Sequence, residues 1–349
     1  MTVTITKPSF NLRDALVSLK RKIGIKGAEL MAAETAEDVY SVIGTNRNLI
    51  INGDFRISQR GDYTTATNIS ENTYYLDRWR GHNNSGAVSA TFQQITTTIN
   101  GVTKKAIRVQ ATSSSGGAYI GTTQIIEQIN FPVGQPVTVS AWVRTNNPYT
   151  RFRYNGIGGS KNSPNTVPAN GGWHKITWTI PDTSAVANNV TFWVICYSDS
   201  GNVPINTNDY FEVADYQVEI GTVATPFEHR PYGTELALCQ RYCQQFTSPG
   251  QVYFLTGHVW STTLCQYTFL PKVQMRTHPS LESGGTITNL SGQSSVNLSS
   301  ISLDGAGLFA EGQQLKINAT MSSSSFTSGY ACALLINSAG AYIRFNAEL

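Results

Sequence analysis

Between residues 48 and 231 the chain repeats one pattern: a short run of β-branched and aromatic residues, then a cluster of Gly, Asn, Pro or Ser. "NLIINGDFRI", "KKAIRVQAT", "VTVSAWVRT", "WHKITWTI", "VTFWVICYS" and "YFEVADYQVEIG" are such runs, with no helical periodicity between them. Runs of this kind read as strands. Strands that recur this closely must cover each other's apolar faces, which predicts an antiparallel β-sandwich of two packed sheets. Within "VTVSAWVRT", alternation puts Val139, Ala141 and Val143 on the core face and Ser140, Trp142 and Arg144 on the other.

The flanking segments differ. In residues 1–47, "NLRDALVSLKRKIG" spaces Leu12, Leu16, Leu19 and Ile23 along one helical stripe. Asn11 is placed to cap this helix, Lys20, Arg21 and Lys22 suit the negative end of its dipole, and Gly24 stops it. "GAELMAAETAEDVYSVIG" is a second helix-prone stretch. Two short helices bury little alone, so this N-terminal helical arm packs on another chain, on copies of itself, or back on the next domain.

Residues 232–349 open with "TELALCQRYCQQF" and then return to strands, among them "QVYFLTGHVW", "TLCQYTFLP", "QLKINATM" and "YACALLINSAGAYIRFNAEL". The expectation is a short helix, capped by Thr234, leading into a C-terminal β-sandwich-like domain. Leu236, Cys239, Cys243 and Phe246 fall on one stripe of that helix. Two readings stay open: an oligomer seam around a symmetry axis, or packing on the chain's own sheet. Zinc needs about four N/S ligands, and this CxxxC brings no second Cys pair or His cluster with it.

Composition narrows the function. Charged residues are 13% of the chain and the net charge is +3, too little and too scattered for a nucleic-acid groove. No long apolar run and no signal h-region is present, so neither membrane insertion nor export is expected. Cys196, Cys239, Cys243, Cys265 and Cys332 are odd in number and read as reduced thiols of a protein assembled in cytoplasm.

"NLIINGDF", "YLDRW", "VSAWVR" and "GGWHKITWTI", in that order, resemble the jelly-roll carbohydrate-binding modules. The junction "VADYQVEIGTVATPFEHRPYGTELALCQRYCQQF" and the later "LPKVQMRTHPSLE" resemble bacteriophage tail fibres and receptor-binding proteins of cyanophage-like, long-tailed phages. The resemblance implies a homotrimeric virion fibre. Its arm (1–47) would anchor to phage baseplate or tail proteins, its jelly roll (48–231) would bind host cell-surface polysaccharide or act as a spacer, and 232–349 would form the distal tip.

No cofactor is required by that reading, although the resembled modules often carry a structural calcium near the two chain ends of the jelly roll. The matching positions are Asp54 of "NGDF" and Asp215 of "VADYQVE", where the adjacent acid pair of the modules is replaced by Ala-Asp. Glycan cleavage would need two carboxyl groups at a set separation. Asp77, Glu127, Asp209, Glu212, Asp215 and Glu219 are the acids available for that, and no catalytic motif accompanies them. Sugar binding needs less: flat aromatic faces beside neutral amides and hydroxyls. Tyr74, Tyr75, Tyr149 and Tyr154 in the middle domain, and Tyr253, His258, Trp260 and Tyr330 in the last, are the candidates, while Trp79, Trp142, Trp178 and Trp193 read as packing residues. Adhesion without bond cleavage is the expected function; a depolymerase spike and a non-binding baseplate or collar adaptor are the alternatives.

Overall fold

The computed structural model describes residues 47–83, 87–115, 119–197, 205–292, 294–304, 314–323 and 326–349, with Ala187 described in its backbone alone. The arm, with Leu12, Leu16, Leu19 and Ile23, lies outside the described residues. The β-rich runs form β1 (Thr67–Asn68), β2 (Arg80–Asn83), β3 (Val88–Ile99), β4 (Val102–Ser114), β5 (Ile120–Ile126), β6 (Val137–Thr145), β7 (Thr150–Ile157), β8 (Ser160–Asn162), β9 (His174–Ile180), β10 (Val186–Cys196) and β11 (Tyr210–Ile220). They build a six-stranded sheet, β1-β3-β4-β11-β6-β9, and a five-stranded sheet, β2-β5-β10-β7-β8, with every pairing antiparallel. The longest hairpin, β3–β4, turns on Asn100 and Gly101, both at positive φ, the backbone a two-residue turn of this hand requires.

Alternation works as expected in β6: Val139, Ala141 and Val143 enter the core between the sheets. Phe55, Trp79, Phe92, Phe152, Phe192, Phe211 and Tyr216 fill that core, Trp79 and Tyr216 meeting edge-on at 5.3 Å. "NLIINGDFRI" was expected as a strand and is instead a compact turn. Asn52 and Phe55 both have φ of 58°, and Asn52 Nδ2 donates to the carbonyls of Ile57 and Asp77 while its own carbonyl accepts from Trp79 Nε1. Gly53 is required there, because a Cβ would lie 2.2 Å from the Tyr216 carbonyl.

α1 (Tyr232–Gln240) is the one α-helix among the described residues. It starts before Thr234, with Pro231 at the cap position, and it ends before Cys243. Cys243 and Phe246 belong instead to β12 (Cys243–Thr247), because a long-range partner, the C-terminal strand β20 (Tyr342–Asn346), pairs with that segment from Cys243↔Asn346 onward. Local spacing cannot register a partner about a hundred residues away. The helical seam is therefore corrected. Cys239 and Cys243 are fully buried within a single chain, and Phe246 packs against Phe254 and Phe269. Leu236 alone of the four stays half-exposed without a place in either core.

The expected second sandwich is a closed barrel. β13 (Val252–Ser261), β14 (Leu264–Phe269), β18 (Leu315–Met321), β17 (Ser294–Leu303), β16 (Ile287–Ser291) and β19 (Ala331–Ile336) close in that order, and β12, β20 and β15 (Ser280–Gly284) form a three-stranded sheet beside them. Val259, Cys265, Tyr267, Ile317, Ala319 and Leu334 fill the barrel, and Phe269 stacks on Phe345 at 4.3 Å to join it to the small sheet. Closure removes exposed strand edges, a solution that strand count alone does not distinguish from a sandwich.

Residues Asn48–Leu349 pack as one unit, and the helix stands at the joint within it. Glu235 accepts from Asn52 N and Arg230 Nη1, tying α1 to the turn below Trp79. Glu348 pairs with both Arg60 and Arg78, whose side chains are no more than 3% exposed. Tyr242 lies under Arg78 at 3.6 Å and donates its hydroxyl to Glu127. From the Met-Arg stretch, Arg276 donates to the carbonyls of Ala347 and Glu348. The question raised by the two-cysteine segment is thus answered by the chain's own joint. Burial pushes the Cys239 thiol well up and the Cys243 thiol to about 12, so both act as small apolar residues.

Candidate functional site

The outer face of the six-stranded sheet is organised in cross-strand rows. Gln93 of β3 lies opposite Arg108 of β4, Arg108 opposite Glu212 of β11, and Glu212 opposite Arg144 of β6. Glu212 has no exposed side-chain surface, whereas each arginine keeps 30% of its own. Arg108 Nη1 donates to Glu212 Oε1 at 3.1 Å, and Arg144 Nε donates to Oε2. Each guanidinium also lies over a ring, Arg108 over Tyr210 at 4.4 Å and Arg144 over Trp173 at 5.0 Å. The carboxylate fixes two cations, and the cations fix two aromatic side chains.

The next row along holds Ile95, Ala106, Ala214 and Trp142. Ala106 and Ala214 are small enough for Ile95, Trp142 and Trp173 to pack down on them, which makes a patch separate from the main core. Trp142 and Trp173 remain partly exposed above it. Trp173 Nε1 and Arg108 Nε are buried donors without an acceptor among the described residues. Past this row the face is closed by the segment after β11. Thr225 donates from N and Oγ1 to Glu219 at 2.8 and 2.6 Å, and Glu228 N donates to Gln217.

Sequence reasoning missed this face, although its signal was present. The alternation that sent Val139, Ala141 and Val143 inward also sent Trp142 and Arg144 outward, yet Trp142 was read as packing. Trp178 does stack on Tyr154, at 5.1 Å, against the core, and Trp79 is fully buried. Trp193 lies on the outside of the five-stranded sheet, 4.2 Å from the His82 ring. His82 Nδ1 meets Glu71 Oε1 at 2.8 Å, and burial holds the imidazole below its ordinary value against the opposing pull of Glu71.

The tyrosine candidates divide. Tyr75 and Tyr154 are each 3% exposed, so neither offers a ring to a ligand: Tyr75 stacks on Phe92 inside the core. Tyr74 donates to the Leu349 carbonyl and lies under Arg60 and Arg80, so it belongs to the joint. Tyr149 is exposed at the start of β7, and Tyr253, His258, Trp260 and Tyr330 are all exposed on the barrel.

The two carboxylates weighed for calcium each stand beside a cation. Asp54 pairs with Arg56 at 2.7 Å and Asp215 with Lys104 at 2.6 Å, so the charge of each carboxylate is already matched. Among the described residues no group of three or more His, Cys, Asp or Glu side chains gathers as a metal site, whereas calcium takes roughly six to eight oxygens. Also among the described residues, no helix is long and apolar enough to cross a membrane.

No protein-family model matches the chain, and no curated protein matches it. Among solved structures, the enzymatically active domain of tailspike protein 4 of bacteriophage CBA120 is similar over 50% of this chain and 22% of its own, at 11% identity and a TM-score of 0.32. TmCBM61, solved with β-1,4-galactotriose, is similar over 50% of this chain and 100% of its own, at 14% identity and a TM-score of 0.29. The CBM22-2 xylan-binding domain from Paenibacillus barcinonensis is similar over 41% of this chain and 92% of its own, at 17% identity and a TM-score of 0.26. The sandwich itself is established by its strand pairings.

Proposed function

We propose that the chain is a virion tail-fibre or receptor-binding protein, assembled in the host cytoplasm, whose sandwich adheres to host surface polysaccharide without cutting it. The observation that carries this is the outer sheet face: Trp142 and Trp173 beside two half-buried guanidiniums, held by a fully buried carboxylate. Indoles take the C–H face of a pyranose, and the guanidinium edges donate to its hydroxyls.

The acids weighed for cleavage are each held by a neighbouring side chain, which favours adhesion over hydrolysis. Glu212 and Asp215 are ion-paired, Glu127 accepts from Tyr242, Asp77 from Gln59, Asp209 from Asn147 and Glu219 from Thr225. Single contacts of this kind are weak, so the homotrimer and the docking of residues 1–47 on baseplate or tail proteins belong to the same proposal. Three copies on one polymer raise the effective concentration of each site.

The test is co-sedimentation of the full chain with host cells and with their purified polysaccharide, followed by the polymer's length and the protein's solution mass. Retention on an unshortened polymer, at a mass of three chains, is the expected result. Shortened polymer would establish the depolymerase, and absence of retention alongside binding to tail proteins would establish the adaptor.

A further inference from the structure

The barrel wall carries a second surface of related chemistry, built from other strands. His258 of β13 lies opposite Gln266 of β14, Gln266 opposite Asn318 of β18, and Asn318 opposite Ser302 of β17. Three strand spacings make this row about 14 Å long. Gln266 Nε2 donates to Asn318 Oδ1 at 3.0 Å, which fixes the two amides relative to each other. Beside them Lys316 and Asp304 form an ion pair at 2.7 Å, with side chains 49% and 41% exposed.

Trp260 stands over this row, 59% exposed. Lys316 Nζ is 5.7 Å from its ring centre, and the His258 ring meets it at 6.1 Å and 63°. Its backbone is held firmly: Ser328 Oγ donates to the Trp260 carbonyl at 2.9 Å, while Val259 N donates to the Tyr330 carbonyl and Gly329 N to the Val259 carbonyl, both at 2.8 Å. The same bonds tie Tyr330, 64% exposed, to the strand that carries the indole. An indole this exposed contributes little to packing, so stability does not account for a large ring pinned in place above a polar row.

We infer that this face binds a neutral pyranose polymer, giving each copy a sugar site on the barrel in addition to the one on the sandwich. Trp260 takes the C–H face of one ring, and Asn318, oriented by the buried Gln266, meets the hydroxyls together with Ser302 and the Lys316–Asp304 pair. Neutrality follows from the charges: Lys316 is already matched by Asp304, so an anionic sugar would have to displace that carboxylate, whereas hydroxyls bridge the pair intact. The hydrogen bond from Lys316 holds the Asp304 carboxyl below its ordinary range, which keeps it an acceptor. This site extends the glycan-binding reading, but it does not depend on the sandwich face.

Native gels of the full chain, cast with neutral polymers (galactan, xylan, mannan) or with acidic alginate, test the inference. Trp142→Ala should remain retarded by a neutral polymer, and adding Trp260→Ala should weaken that retardation by about tenfold or more. Asp304→Asn should weaken it less, with the protein's melting unchanged. A double variant retarded as strongly as Trp142→Ala, or a Trp142→Ala protein no longer retarded, overturns the barrel site. Retardation by alginate alone, lost in Trp260→Ala, overturns the neutral class. If no gel retards the wild type while host cells still retain it, the barrel site fails and the sandwich reading stands.

Discussion

On the sandwich the outer sheet face buries its charge, Glu212 lying fully covered between Arg108 and Arg144; on the barrel wall the one described ion pair of the barrel strands, Lys316–Asp304, stands nearly half in solvent. A broad sheet lets long neighbouring side chains shield one another, so charges and rings lock into a fixed array. On the closed barrel the Lys316–Asp304 pair has no such neighbours shielding it among the described residues, and it stays wet. The carboxylate is therefore part of the structure on one surface and open to solvent on the other.

The largest test of that contrast is to damage each half separately. Trp79→Ala in the sandwich and Phe345→Ala beside the barrel should each cost about 3–5 kcal/mol. Because the joint ties the halves together, each should lower a single unfolding transition; two separate transitions in the wild type would contradict the coupling. Glu348→Ala strips the shared carboxylate from Arg60 and Arg78, should cost about 3 kcal/mol, and should split the transition seen in urea. An unsplit curve with an unmoved midpoint would deny the joint its role.

Exchanging the two carboxylates sharpens the comparison directly. Glu212→Gln leaves two arginines short of a counter-charge and should destabilise by about 1–3 kcal/mol in chemical denaturation. Asp304→Asn should leave the midpoint where it was, since its partner is open to water. Equal effects would erase the distinction. The smallest effect is a pH dependence confined to the sandwich. His82 is held below its ordinary 6.5, so unfolding takes up a proton at pH below that value. Its contribution is whole above 6.5 and is lost as the pH falls, and His82→Gln should flatten the melting difference between about pH 7.5 and about pH 5.5.

Much of the sandwich was legible in the sequence because alternation is a local property. "VTVSAWVRT" fixes the strand β6 and the facing of each of its side chains without reference to any neighbour. The same alternation held Trp142 outward; what it could not supply was the neighbour that makes an outward Trp meaningful. Arg108, Glu212 and Trp173 come from three other parts of the chain, and only sheet order sets them beside Arg144. Tyr75 and Tyr154 failed as candidates for the converse reason. Their loop-like surroundings say nothing of the rings that bury them.

"TELALCQRYCQQF" marks the limit most clearly. Its spacing satisfies a helix through Phe246, and the helix does form, but only to Gln240, because β20 claims the remainder as a strand. By itself the sequence determined the class of secondary structure, the inward and outward faces of its regular strands, and a polar, weakly charged surface. The tertiary structure decided that the last strands close into a barrel, that the cysteine-bearing segment is an internal joint, and which aromatic rings reach solvent. Each of those depends on contacts between residues far apart in the chain, whose free energy outweighs the local preferences that a sequence displays.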